Sequence, residues 1–350
     1  MADTKNTGTM KNWQNFLAQQ GATITEGLIS SFGETPCNYP RLSATLTDLS
    51  NLGVLALEGA DSKRFLQGQS TSDTEQLNAD TVLPGAICNA KGRMLTSYHA
   101  VEPETDTLLL VMHRPLVDTT IDNLGKYAAF FKTTLSNASD DYRLLGISGS
   151  DCETILKAHF DTIPTAINEL CITEGYLLLR TSPQQFLVIV KADSAKQLWL
   201  KLALSFTPTG IAYWQLQSIR AGQACVQAET AEQFVPQMLN LQATGAVNFK
   251  KGCYTGQEIV ARMQYLGKLK RRTYRIILEA STPPQVATEI HDSANNKLVG
   301  SVLTAASADG KSSEMLAVLH EGQADASSFV IDGETVKVCI AELPYSLTSP

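Results

Sequence analysis

Apolar residues in this chain alternate between two spacings. A short run at 54–58, bounded by Gly53 and Gly59-Ala60-Asp61, predicts a strand, and Asp61 or Ser62 then opens a helix carrying Phe65, Leu66 and Gln69. Residues 94–101 and 108–112 predict two further strands, with residues 84–89 leading into a turn at 90–92. Residues 118–131 predict a helix with Ile121, Leu124, Ala128 and Phe131 on one face. The rhythm resumes after Asp141: strand at 143–147, helix at 152–159, paired strands at 175–180 and 185–190, helix at 194–204. Residues 214–222 are compatible with a helix but carry no decisive pattern. Strands and helices joined by short connections predict α+β modules rather than a doubly wound sheet. No fixed-period repeat occurs, so only the rhythm hints at duplication.

The two ends differ from this middle. Trp13, Phe16 and Leu17 lie at helical spacing, which predicts either a short packed helix or a loosely attached arm ending near Asn38-Tyr39-Pro40. Beyond Gly267 the pattern changes to short strands at 273–279, 289–291, 298–304, 315–320 and 336–340, punctuated by glycines. Such spacing predicts a small closed or nearly closed β domain. The expected organisation is an N-terminal segment 1–40, an α+β region 41–265 made of modules 41–140 and 141–265, and a β-barrel 266–350.

Composition narrows the function. The 350 residues are 43% apolar and 18% charged, a globular balance. The net charge of -7 argues against generic nucleic-acid binding, yet eight basic residues and one acid between Lys250 and Arg275 give +7 there and leave -14 elsewhere. Seven cysteines are scattered without a C-x-x-C, and five histidines lack ligand spacing, so no intrinsic metal or iron–sulphur cluster is expected. The N-terminus has no apolar leader and no run of 18 apolar residues occurs, so a cytoplasmic protein with reduced thiols is expected.

One stretch suggests a reactive group by its local chemistry. Lys250-Lys251-Gly252-Cys253-Tyr254-Thr255-Gly256-Gln257-Glu258 sets a thiol beside two lysines and before a predicted helix. Thr255 and Glu258 have capping-box spacing, which would make Thr255 the N-cap and put Cys253 two residues beyond the positive end of the helix dipole. Ammonium groups and a helix N-terminus both favour thiolate. Gly252 and Gly256 read as turn residues, Gln257 and Glu258 as residues that position the loop.

This stretch closely resembles the signature of the YgfZ family of bacterial folate-binding, tRNA-modifying proteins. The wider family serves iron–sulphur cluster assembly and repair and shares the fold of the glycine-cleavage T-protein aminomethyltransferase. Residues 59–61 with 65–73, the turn at 89–94, the segment 233–242 and Leu343-Pro344-Tyr345-Ser346-Leu347 support the likeness, which covers roughly 45–347. It implies ferredoxin-like modules around a tetrahydrofolate site, a C-terminal small β-barrel, and Trp214 as a ligand-stacking aromatic. Leu52 stands where this type has a second tryptophan, and Arg220 where the wider family often has an acid. Asn240 is grouped with these ligand residues. The transferases' essential aspartate falls at Thr96 or Ser97.

The resulting expectation is a tetrahydrofolate-binding accessory protein for iron–sulphur enzymes, including tRNA-methylthiolating ones, with Cys253 and Lys251 at its reactive centre and no enzymatic turnover of its own. Two alternatives stand beside it. One is a folate-dependent aminomethyl or one-carbon transferase. The other is an RNA-binding protein using the basic segment with Tyr265 and Tyr274, although those cations also suit the tail of a polyglutamylated folate. Expected partners are folate and the iron–sulphur enzymes or their assembly machinery, with direct tRNA contact open and no membrane.

Overall fold

The computed structural model describes residues 3–33, 42–173, 175–267, 269–323 and 325–347. Cys37, the break expected at 38–40 and Lys268 lie outside the described residues. The chain begins with helix α1 (Asp3–Gln19), a hairpin of β1 (Ala22–Thr25) and β2 (Leu28–Phe32), and strand β3 (Thr45–Asp48). The N-terminal segment is therefore a packed helix, as one of the two readings had it. Trp13 and Leu17 are buried in the core beneath it, and the Trp13 indole donates to Asp48 Oδ1 at 2.8 Å.

Two modules follow with one shared path. The first runs β4 (Leu52–Glu58), α2 (Ser62–Gln67), β5 (Leu83–Cys88), β6 (Met94–Glu104), β7 (Thr107–His113), α3 (Leu116–Ala128) and β8 (Thr134–Asn137). The second runs β9 (Tyr142–Ser148), α4 (Cys152–His159), β10 (Leu170–Thr173), β11 (Tyr176–Ser182), β12 (Gln185–Lys191), α5 (Ala192–Leu202) and β13 (Thr207–Thr209). The first sheet is ordered β5-β6-β7-β4-β8 and the second β10-β11-β12-β9-β3-β13, the same order with β3 inserted. Each module turns from its first strand into its first helix at a glycine with positive φ, Gly59 at 133° and Gly149 at 123°. A Cβ at either would stand 2.3 Å from a carbonyl oxygen, of Lys132 or Ser43, so a side chain is excluded by both conformation and space.

The two sheets face each other across a shared apolar layer that includes Val54, Ala56, Val101, Leu109, Leu177, Leu179, Leu187 and Trp214. Helices α1, α4 and α5 cover the outer face of the larger sheet, and α2 and α3 that of the smaller one. After the second module, α6 (Ile211–Arg220) and α7 (Gln257–Tyr265) are joined by a long connection containing 3₁₀ turns at Ala228–Thr230 and Pro236–Leu239. This connection packs with α6 against the C-terminal domain. That domain is a closed barrel of β14 (Arg271–Leu278), β15 (Glu289–Asp292), β16 (Leu298–Ser307), β17 (Ser313–His320), β18 (Ser328–Ile331) and β19 (Glu334–Ala341). Strand β14 pairs with both β17 and β19, which closes the ring and leaves no open edge.

The strands that the hydrophobic pattern did not predict are β1, β2, β3, β8, β10, β13 and β18, three to five residues each, and β5, expected only as the approach to a turn. Such pieces are too short to display a period. They exist because a longer neighbour supplies the ladder.

Candidate functional site: a thiol loop beside a polar recess

Stretches that carried the family resemblance, far apart along the chain, meet in space. Segment 67–72 wraps the lysine of the cysteine motif: Lys251 Nζ donates to the backbone carbonyls of Gln67 (2.7 Å), Ser70 (2.8 Å) and Ser72 (2.7 Å). Three acceptors match the three protons of an ammonium group. The side chain is only 9% exposed, and burial draws its pKa down to about 8 against the opposing pull of Asp73 and Glu75. It also lies 5.3 Å from the Tyr254 ring centroid. Burial pushes the Tyr254 phenol up, so it stays protonated.

Backbone and small polar groups complete the clamp. Asn248 N–H donates to Thr71 O at 2.9 Å, while Asn248 Oδ1 accepts from the backbone of Lys250 and Lys251. Thr71 Oγ1 donates to Ala246 O at 2.6 Å. On the other side, Gly256 packs on the 89–92 turn so closely that a Cβ there would lie 2.5 Å from Asn89 O. Asn89 holds that turn by accepting from the backbone of Lys91 and Arg93 and donating to Glu232 at 2.7 Å. Within this loop Lys250, Gly252 and Cys253 remain exposed.

The capping expectation is corrected here. Gly256, with φ of 83°, is the N-cap of α7, and no side-chain cap bond forms. Thr255 Oγ1 turns instead toward Gln69 Oε1 at 3.3 Å, and Glu258 is exposed. A left-handed glycine bends the chain where a capping threonine would need extended backbone. Cys253 therefore lies three residues before the N-cap. Gln257 opens the helix.

The second half of the site lies between the sheets. Trp214, on α6, is 9% exposed and packs on Gly146 of β9; a Cβ at Gly146 would stand 2.4 Å from its Cε3 atom. Facing it from the first module, Leu52 is paired in register with His113. Pleating puts Ser97 and His99 on the same face of β6 as the inter-sheet residue Val101. This separates the two candidates for the missing aspartate. Thr96 is fully buried on the opposite face, against Met112 Sδ at 3.7 Å. Ser97 looks inward, its Oγ accepting the N–H of Val226 at 2.9 Å.

His99 and Cys225 border this space between the sheets, Cys225 preceding the Val226 whose N–H reaches Ser97. His99 is half-buried and Cys225 exposed by surface area. Yet desolvation lowers His99 to about 4 and pushes the Cys225 thiol up to about 11. His113 is also lowered, by burial opposed by Glu229, and its Nδ1 accepts the N–H of Ala228 at 3.2 Å. His99, His113 and Cys225 did not emerge from motif reading. The alternation of Ser97 and His99 with apolar Tyr98 and Ala100 was the available signal.

The remaining residues expected at the ligand lie at the barrel junction. Arg220 Nε and Nη2 both bind Glu314 Oε1, at 2.9 and 2.7 Å, while Arg275 takes Glu314 Oε2 at 2.9 and 2.7 Å. Arg220 thus ties α6 to strands β14 and β17. Asn240, at φ 58°, donates to Thr273 O at 2.9 Å and leaves its buried Oδ1 without a partner among the described residues. Tyr345 donates to Gly222 O at 2.9 Å, which brings the 343–347 stretch to the same junction. No cluster of three or more metal-ligating side chains occurs among the described residues.

Comparison with known proteins bears on the fold and the family. Residues 14–251 match the family model described as the GCVT N-terminal domain. The chain is 32% identical over 318 residues to tRNA-modifying protein YgfZ of Escherichia coli O157:H7 (strain EC4115 / EHEC), covering 89% of this chain and 96% of the relative. It is 33% identical to the protein of the same name from Photorhabdus laumondii subsp. laumondii, covering 89% and 95%. The crystal structure of the glycine cleavage system aminomethyltransferase T from Bartonella henselae superposes with a TM-score of 0.76 over 95% of this chain and 96% of that one, at 14% identity, which is a likeness of fold. The chain belongs to the YgfZ family, built on the GCVT scaffold.

Proposed function

We propose that this protein is a tetrahydrofolate-binding accessory factor that supports iron–sulphur enzymes, among them those that methylthiolate tRNA, with Cys253 as its reactive thiol. The observation that carries this reading is the contrast inside one loop. Lys251 and Asn248 are fixed by the first module, and Cys253 stands exposed between them and a helix N-terminus. A thiol on a clamped backbone is presented to a partner at little further ordering cost. Two relatives of like length carry the name tRNA-modifying protein, which supports the tRNA-linked side of the reading.

The recess suits a folate. Apolar residues of both sheets with a few polar groups on β6 are the kind of lining that small-ligand sites use. Trp214 and Leu52 would flank the flat ring system, stacking being worth about 0.5–1.5 kcal/mol beyond burial. Ser97 and neutral His99 would offer hydrogen bonds to its polar edge. The folate would supply a one-carbon carrier. A transferase reading is less well supported, because Ser97 stands where a carboxylate would be needed and carries no charge to assist transfer.

Cells lacking their own copy of the gene test the thiol. Cys253→Ala should fail to restore tRNA methylthiolation, measured by mass spectrometry of digested tRNA. Full restoration by that variant would sink the reactive-thiol reading.

A further inference from the structure

Beside the thiol lies a surface that the folate recess and the clamped loop leave unused. Helix α7 runs from the cysteine loop to Tyr265, which is 69% exposed, and Leu266 follows it at 84%. Phe249, the residue before the motif's two lysines, meets the Tyr265 ring edge-on at 6.0 Å. This contact joins the far end of α7 to the start of the loop that carries Cys253. Around it Lys250, Arg262 and Lys270 are exposed and form no ion pair among the described residues. Glu258 is the acid on this helix.

Adjacent exposed apolar side chains beside a majority of unpaired cations mark an interaction site. We propose that this collar docks an acidic protein segment with apolar side chains and thereby delivers a partner protein to Cys253; the delivery, though not the docking, rests on the reactive-thiol reading. Charge complementarity selects the sign of the partner. The centre selects its class. Leu266 is aliphatic and the Tyr265 ring is already packed edge-on, so the patch lacks the row of aromatic platforms on which single-stranded nucleic acid stacks.

Fluorescence anisotropy tests this with a labelled peptide rich in Asp and Glu around Leu and Phe, and with a counterpart whose acids are replaced by lysines. The acidic peptide should bind wild type and Cys253→Ala alike. It should bind about tenfold or more weakly to a Tyr265→Ser, Leu266→Ser double variant and to a Lys250→Glu, Arg262→Glu double variant, and weaken with salt. All four positions are exposed, so the variants keep the fold. Equal binding of the lysine peptide, or no loss in the apolar double variant, overturns the proposal. So does an RNA hairpin that binds the apolar double variant as well as wild type and displaces the peptide, which gives the patch to nucleic acid. Self-association that the double variant abolishes gives it to a second copy instead. Peptide binding that persists while Cys253→Ala restores cellular activity would remove the thiol reading and leave the docking surface.

Discussion

The two α+β modules share a chain path but present different chemistry to the space between them. In the first, the central hairpin strand β6 turns Ser97 and His99 inward; in the second, its counterpart β11 turns Leu177 and Leu179 inward. Three residues before the glycine that ends the first strand, the first module carries Ala56 and the second carries Gly146. The missing methyl on Gly146 is the room that Trp214 occupies. The first module therefore supplies hydrogen-bonding groups and anchors the thiol loop, and the second supplies a wall for the aromatic. Duplication of a scaffold leaves each copy free to specialise, because the topology is fixed by its turns and core and not by the residues facing the recess.

The largest expected effect tests the anchoring duty of the first module. Lys251→Met leaves the carbonyls of Gln67, Ser70 and Ser72 without their shared donor and should cost on the order of 3 kcal/mol in urea unfolding. Cys253→Ala, two residues away and exposed, should stay within about 0.5 kcal/mol of wild type. Similar small losses for both would mean that the loop is not clamped to the module.

Next comes the wall of the second module. Gly146→Ala forces a methyl against Trp214 and should cost about 1–3 kcal/mol, with a shift in tryptophan emission. A stable variant with unchanged emission would show that the aromatic has room to spare.

The smallest effect concerns His99. Its folded pKa, about 4, lies below the ordinary 6.5, so the folded state favours the neutral ring. That contribution is fully present above pH 6.5 and is lost as pH falls from 6.5 toward 4. Urea midpoints of wild type and His99→Asn should converge on acidification, the variant showing the flatter dependence. Parallel curves would place His99 outside a desolvated recess and weaken the contrast between the modules.

Much of the scaffold is legible along the chain because its longer elements announce themselves. The strands β4, β7, β9, β11 and β12 carry apolar runs, β6 alternates, and α3, α4 and α5 carry a helical stripe, each a property of consecutive residues. Most of the shortest strands, such as β1, β3, β8 and β13, were not legible, since their existence depends on the neighbours that pair with them. The capping box failed for a related reason. Thr255 and Glu258 have the spacing, but the 89–92 turn pressing on Gly256 sets the backbone there and leaves Thr255 outside the helix. Arg220 also has a partner distant along the chain. Its motif position suggested a ligand contact, and Glu314, 94 residues on, engages its guanidinium.

By itself the sequence determined the family, the α+β rhythm giving way to a barrel, and the cysteine motif, because these depend on residue type and local order. Only the tertiary structure decided which polar groups serve the scaffold and which face open space. Lys251 sits two residues from Cys253 and its ammonium is taken up by three carbonyls; Ser97 adjoins Thr96 and alone faces the recess. Side-chain direction in a strand and burial in a loop are set by whatever packs against them, and those contacts come from distant parts of the chain.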